Sequence, residues 1–332
     1  MIRPWTHHDG FNGRSAPHVS IGQDEEVLVV LDQLTDFLYP TTVEEAVEAL
    51  AKAGGKALPL AGGTSLALSR NARVEVLVDI TRLGLDRIDV DSDRIEIQCC
   101  ATAHGITRSS LADLPEAGAL VDAAQVSGPS GVRAAMTMGG SLAQCYPWSD
   151  PPVALLALEA KVEITRKTKR TVGITKLLEQ HPSKALTPGD LITAIVLPRS
   201  GGASAFLKQG LTVTDDALAS AAVSIRIDQG QEHGKKSTRR KKKAEAPQLS
   251  HLRVALGGLR PLPILATGLE DLVGRPMDDA WYETLADLIR SQVRPTEDAR
   301  APSAYRRTVA GVLAKRAVQK AVERWKGEPT PV

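Results

Sequence analysis

Two segments of this chain carry paired glycines next to hydroxyl side chains. They are Leu60-Ala61-Gly62-Gly63-Thr64-Ser65-Leu66 and, about 75 residues later, Thr137-Met138-Gly139-Gly140-Ser141-Leu142-Ala143. Glycine lets a main chain pass where a Cβ would collide, and the neighbouring Thr and Ser add hydroxyl donors. Each segment alone reads as a tight turn. As an ordered pair they ask for a fold that brings two distant turns around one polyanionic ligand. Amides of Gly62 to Ser65 and Gly139 to Ser141, with the hydroxyls of Thr64, Ser65, Thr137 and Ser141, would then hold a pyrophosphate from two sides.

Local patterning frames these turns. Thr42-Val43-Glu44-Glu45 has the form of a capping box, the Thr42 hydroxyl bonding an amide three residues on and Glu45 reaching back. Val43, Ala46, Val47, Leu50 and Ala53 mark one face of a short helix that Gly54-Gly55 ends. A strand over 57–60 delivers the first turn; further strands are expected at 76–80 and 94–97, and helical patterning at 107–111 and 120–126. After the second turn come an apolar run over 153–158, a hairpin from 162–165 and 171–174, and a strand over 191–197 closed by Pro198. Gly201-Gly202 marks a domain boundary. Alternation at 223–227 and 252–256 predicts two adjacent strands joined by a basic loop, and two helices at about 279–292 and 303–324 close the chain. The organisation read from this is an extension (1–34), a first domain (35–200) and a second (201–325) with a basic loop at 230–248.

Charge and composition exclude several functions. Lys and Arg number 41 against 39 Asp and Glu, but Lys235, Lys236, Arg239, Arg240, Lys241, Lys242 and Lys243 form one dense run, so the rest of the chain is net acidic. Such a run repels itself and reads as a solvated loop; without interleaved aromatics or a binding motif it does not mark a nucleic-acid site. Aromatics are 3% of the residues, so the core must be built from small aliphatics. No apolar stretch approaches the roughly 18 residues of a membrane helix. His7, His8 and Asp9 stand where a signal peptide would be apolar, so a cytoplasmic protein without membrane insertion is expected. Adjacent Cys99 and Cys100 on a strand would point to opposite faces and so could not jointly hold a metal there. With Cys145 they fall short of the usual four thiolates of an iron–sulfur cluster, so they read as buried small hydrophobes and any cluster belongs on another chain.

Catalytic inventories come up short. There is no H-E-x-x-H, no G-x-S-x-G and no Walker lysine, and the glycines miss the G-x-G-x-x-G spacing. His104, the one histidine near an element that matters, reads as a surface residue. Asp150, before Pro151-Pro152, reads as a fixed acceptor for a ring N–H and equally as the N-cap of a helix from about Pro151.

These segments together resemble the FAD-binding (medium) subunit of the molybdenum hydroxylases, the group of aerobic carbon monoxide dehydrogenase and bacterial xanthine dehydrogenase. Leu60 to Leu66 is similar to that family's A-G-G-x-S/D-L loop, and Val132-Arg133 with Thr137 to Ala143 to its V-R-x-x-x-T-x-G-G-N/S-x-A loop. Asp150-Pro151-Pro152 with Leu155 to Leu158 resembles the D-x-P-A-x-L-L-A-L segment. Phe206-Leu207-Lys208 before Asp215-Asp216-Ala217, Val254 to Gly258, and Asp298-Ala299-Arg300 with Ala304 to Arg307 extend the likeness, which runs from about Phe37 to Ala321. Ser141 stands where many relatives have Asn, and Tyr146 and Trp148 make the stretch before Asp150 bulkier than usual.

The resemblance implies an α+β chain: a two-subdomain FAD-binding fold of the p-cresol methylhydroxylase type, then a C-terminal domain of antiparallel sheet plus helices. It implies non-covalent FAD held by Leu60, Ala61, Gly62, Gly63, Thr64, Ser65 and Leu66 from one loop and Thr137, Gly139, Gly140 and Ser141 from the other. Asp150 would bond the flavin, Leu191 and Ile192 would line the adenine or ring pocket, and Lys208 would sit near the isoalloxazine, its alternative being a surface lysine at a strand end. The molybdenum cofactor and [2Fe-2S] clusters are expected on partners only, a large molybdenum subunit and an iron–sulfur small subunit, in a dimer of heterotrimers. No residue of this chain is expected to be catalytic or to bind metal. A stand-alone FAD oxidase or dehydrogenase and a flavin-free assembly subunit are the alternatives.

Overall fold

The computed structural model describes residues 33–66, 74–228 and 248–328. The expected extension, apart from its last two residues, and almost all of the basic loop lie outside the described residues. The chain opens with β1 (Asp36–Leu38), α1 (Val43–Lys52), β2 (Ala57–Leu60) and β3 (Val76–Asp79), which pair in parallel in the order β1-β3-β2. Thr42 caps α1, its Oγ1 accepting from the Glu45 amide at 3.2 Å. Glu45 reaches one residue further back than a capping box requires, accepting from the amide (2.7 Å) and hydroxyl (2.9 Å) of Thr41. Ala46, Val47 and Leu50 point α1 into the core, as their spacing demands.

β4 (Ile88–Val90) and β5 (Arg94–Gln98) begin a second sheet. Then come α2 (Ala103–Arg108), α3 (Gly118–Val126), α4 (Ser130–Ala135), α5 (Met138–Gln144) and α6 (Asp150–Ala157). The hairpin of β6 (Lys161–Thr165) and β7 (Lys169–Gly173), two short helices α7 (Ile174–Leu177) and α8 (Pro182–Ala185), and β8 (Leu191–Pro198) complete this part. The second sheet is antiparallel, in the order β4-β5-β8-β6-β7. The helical runs expected at 107–111 and 120–126 correspond to α2 with a following single turn and to α3. Cys99 and Cys100 lie in a turn just past β5, not on the strand, and their sulfurs approach to 3.9 Å instead of facing apart. The turn removes the alternation on which opposite faces depend.

The remainder forms a third sheet, β12-β11-β10-β9, from β9 (Ala203–Gln209), β10 (Ala219–Asp228), β11 (Gln248–Gly257) and β12 (Ile264–Leu265), followed by α9 (Asp279–Gln292) and α10 (Ser303–Lys326). β10 and β11 pair antiparallel across the basic loop, as expected from the alternation. Residues 219–225 of β10 are all buried because both sheet faces are covered: α10 packs on β9 and β10, while α3 and α6 pack from the other side. Accordingly Ala222 and Ala255 join Phe206 in the core built from residues 46–197, whereas Ala221, Val223, Val254 and Leu256 face α9 and α10.

Charged groups tie the two parts together. The Asp122 carboxylate accepts from the Phe206 amide (3.0 Å), Arg324 Nη2 (3.0 Å) and Lys320 Nζ (3.1 Å). Ser204 Oγ accepts from the Ala119 amide (2.8 Å) and donates to the Glu116 carbonyl (2.7 Å). Among the described residues no helix is long and apolar enough to cross a membrane.

Candidate cofactor cleft

A cleft of about 390 Å³ opens between the parallel sheet and the five-stranded sheet. The two glycine turns meet in it. Leu60, at the end of β2, is anchored by its carbonyl accepting from the Ile80 amide at 3.0 Å, and the turn leaves from there. Gly63 has φ +68, a left-handed conformation that favours glycine. Gly62 lies so close to the end of α4 that an added Cβ would overlap the Ala135 carbonyl. Among the described residues the amides of Gly62, Gly63, Thr64 and Ser65 have no acceptor, which is what an anion cradle requires.

The second turn is built differently, which corrects the expectation for its amides. Thr137 is the N-cap of α5, its Oγ1 accepting from the Gly140 amide at 3.2 Å. The Gly139 amide donates to the Cys99 carbonyl and the Ser141 amide to the Thr137 carbonyl, both at 2.9 Å. These N–H groups are therefore taken by the protein. What remains for a ligand is side-chain chemistry. The Thr137 hydroxyl keeps its proton to donate, and the Ser141 hydroxyl makes no hydrogen bond among the described residues. Gly139 is required by packing: a Cβ there would sit 2.6 Å from the Cys99 Cβ.

Leu191 and Ile192, at the start of β8, form part of the opposite wall, together with a segment over 183–190 that sequence reasoning passed over. Thr187-Pro188-Gly189-Asp190 was the available signal, a Pro-Gly turn running straight into a strand. Asp190 fixes this wall. Its carboxylate accepts two bonds from Arg170 (2.8 and 2.9 Å) and one each from the amide and hydroxyl of Thr187 (both 2.8 Å). Burial opposes its charge, but these donors outweigh burial and hold the carboxyl at about 2. Cys99, Ile80 and Gln144 also line the cleft, and nothing in the sequence marked them.

Asp150 and Lys208 do not line this cleft; they are buried against each other. Lys208 Nζ donates to Asp150 Oδ2 (2.7 Å) and to the Val126 carbonyl (2.8 Å), with side chains 5% and 3% exposed. The surface-lysine alternative is thereby excluded. Asp150 is the first residue of α6 and Ser149 its N-cap, so the capping alternative for Asp150 does not hold. Burial pushes the Asp150 carboxyl up to about 7 against the pull of Lys208 and Ser127. Its Oδ1 is buried and has no partner, an acceptor left without a donor. Nearby, Tyr146 and Trp148 stack with ring centroids 5.3 Å apart, and the Arg300 guanidinium lies 5.8 Å from the Trp148 ring centre. His104 is exposed, on α2, and not in the cleft wall.

Residues 33–200 match the family described as the FAD binding domain in molybdopterin dehydrogenase, and residues 211–321 match the CO dehydrogenase flavoprotein C-terminal domain. The chain belongs to this flavoprotein family. It is 30% identical to the carbon monoxide dehydrogenase medium chain of Afipia carboxidovorans over 88% of its own length and 98% of the relative's. It is 27% identical to the glyceraldehyde dehydrogenase medium chain of Sulfolobus acidocaldarius, over 85% and 96% of the two chains. In structure it resembles a chain of the carbon monoxide dehydrogenase from Hydrogenophaga pseudoflava that lacks the Mo-pyranopterin moiety of its molybdenum cofactor. That match has a TM-score of 0.77, 26% identity and coverage of 88% and 98%. This medium-subunit flavoprotein is thus an oxidoreductase chain with an FAD-binding domain followed by a C-terminal antiparallel sheet domain, the architecture that the resemblance implied.

Proposed function

We propose that this flavoprotein is the electron-transferring chain of a larger molybdenum hydroxylase. A large partner with the molybdenum cofactor would oxidise the substrate. A small partner with [2Fe-2S] clusters would deliver the electrons singly, and they would leave through the FAD of this chain to an external acceptor. Bound FAD supplies the exchange between one-electron and two-electron chemistry, and the protein's part is positioning and tuning.

The chain's own residues support holding rather than substrate chemistry. The amides of Gly62 to Ser65 take the diphosphate at one turn, and the Thr137 and Ser141 hydroxyls donate to it from the other. Gly139 and Gly140 keep that turn low, Leu60, Ala61 and Leu66 set the first, and Leu191 and Ile192 give the apolar wall. Asp150 and Lys208, buried outside the cleft lining and joined by the 2.7 Å bond to Oδ2, support the site from behind and are assigned no bond to the flavin.

One observation carries the choice between readings. Asp190 and Cys99 are the ionisable side chains described on the cleft wall. Asp190 is held ionised by four donors and Cys99 is pushed well above the ordinary thiol value, chiefly by the hydrogen bond it shares with Cys100. Neither is a poised base, which disfavours a stand-alone oxidase.

The test is to purify the chain alone and beside its partners, record visible spectra and assay turnover. Flavin in equal amount without turnover by the lone chain is expected. Turnover by the lone chain refutes the proposal, and a colourless chain even beside its partners favours a flavin-free assembly subunit.

A further inference from the structure

Cys99 and Cys100 hold no ligand in the function proposed above, yet Cys99 lines the cleft wall and Cys100 lies directly behind it, both buried. Their sulfurs are 3.9 Å apart, Cys99 lines the cleft, and the Cys100 thiol donates to the carbonyl of Ile80, another cleft residue, at 3.7 Å. The backbone around the pair is wired into the second turn. The Cys99 amide donates to the Thr193 carbonyl (3.0 Å), the Cys99 carbonyl accepts from the Gly139 amide (2.9 Å), and the Cys100 amide donates to the Leu85 carbonyl (2.7 Å). The Cys99 Cβ fills the space that Gly139 leaves by having no side chain. Cys145 offers a contrast: it is buried without another thiol, and burial pushes it up to about 12.

We propose that Cys99 and Cys100 are a disulfide-forming modification site that is open to a peroxide in the flavin-free chain, is shielded by bound FAD, and weakens FAD binding once the disulfide has formed. The inference rests on FAD occupying this cleft. The sulfur–sulfur contact, in which either thiol can donate, lowers the Cys100 thiol, which lies 3.9 Å behind the Cys99 sulfur of the cleft wall and is the nucleophile of the pair. Its thiolate attacks one peroxide oxygen, the O–O bond breaks, and with one proton taken up water leaves, giving a sulfenic acid on Cys100. The Cys99 sulfur then attacks the sulfenic sulfur. The S–S bond forms, the S–O bond breaks and, with the Cys99 proton, a second water leaves. Net, two thiols lose two electrons and two protons, and one peroxide becomes two waters.

Ring closure must bring the sulfurs from 3.9 Å to about 2.05 Å. Because the residues are adjacent, the peptide between them has to turn, and the Cys99 carbonyl loses its aim at the Gly139 amide. The first turn of α5 moves with it, and with that turn the Thr137 and Ser141 hydroxyls. A disulfide strained in this way is readily reduced, which makes the modification reversible.

The experiment treats the full chain with hydrogen peroxide, once stripped of FAD and once loaded. It then maps thiols by alkylation and peptide mass and titrates FAD. In the stripped chain we expect a Cys99–Cys100 disulfide, with Cys145 alkylated only after unfolding. FAD affinity should fall roughly tenfold, the equivalent of one backbone hydrogen bond, and return on reduction with dithiothreitol. The loaded chain should resist oxidation, and a Cys100→Ser variant should keep its affinity through peroxide treatment. Absence of the disulfide in the stripped wild-type chain overturns the proposal, as does a disulfide that leaves FAD affinity unchanged or forms equally fast in the loaded chain. Reduced, untreated protein that takes up no FAD refutes the proposed function instead, while the thiol map still reports on the pair.

Discussion

Gly62→Ala isolates the first turn from everything else the chain does. The new Cβ overlaps the Ala135 carbonyl, so either the turn or the end of α4 must retreat by more than about 1 Å before van der Waals contact is restored. Overpacking of this kind costs about 1–3 kcal/mol of stability. The larger effect is on the ligand, because amide-to-phosphate bonds work near 2.9 Å and a displacement of that size breaks them. Losing one or two charge-assisted bonds, about 3 kcal/mol, weakens FAD roughly a hundredfold. FAD titration of the stripped protein, followed by flavin fluorescence and paired with thermal unfolding, measures both effects. Gly131→Ala is the control. Gly131 sits in the same neighbourhood, on α4, with nothing within 4 Å of an added Cβ. It should bind FAD normally and gain roughly 0.5–1 kcal/mol of stability. A folded Gly62→Ala protein that binds FAD within about threefold of wild type would falsify the cradle.

Two further perturbations test the buried charges. The Asp150 carboxyl stands at about 7 in the folded chain against 3.8 as its ordinary value, so between these pH values the folded state holds a proton that the unfolded chain has lost. Stability therefore falls as pH rises from about 4 to about 7 and then levels, by a total of up to about 4 kcal/mol. Asp150→Asn should flatten that decline in denaturant unfolding measured across this range; an unchanged slope contradicts the burial argument. Arg306 is buried on α10 and donates to the carbonyls of Leu218 (2.8 Å) and Gly258 (2.9 Å) and to Asp298 (2.7 Å). Arg306→Met strips these three bonds and the longer one from Nε to the Ala301 carbonyl (3.4 Å) and should cost about 3–5 kcal/mol, seen as a lower midpoint in urea, while FAD affinity of the folded protein holds.

Much of the fold was legible because it is decided locally. The apolar face of α1, the strand alternation at 223–227 and 252–256, and the glycines with positive φ after α1 each follow from side-chain period or steric freedom within a few residues. Both cleft turns were legible for the same reason. The 183–190 wall was not, since its part in the cleft comes from where β8 begins in space. The approach of the vicinal cysteine sulfurs was not legible either, because opposite faces hold only on a strand and a turn past β5 cannot be told from a continued strand by alternation alone.

The sequence by itself determined that two glycine turns exist, which hydroxyls accompany them, and that no catalytic motif does. Only the tertiary structure decided how the two turns differ. At Gly62 to Ser65 the amides have no acceptor among the described residues, whereas at Gly139 to Ser141 the Cys99 carbonyl and the Thr137 cap take them. It also decided that Lys208 meets Asp150 across 58 residues, and that Phe206, Ala222 and Ala255 complete a core begun by the first domain. Periodicity and turn chemistry act over a few residues. Which donor finds which acceptor, and which face finds which layer, is settled only when distant segments pack.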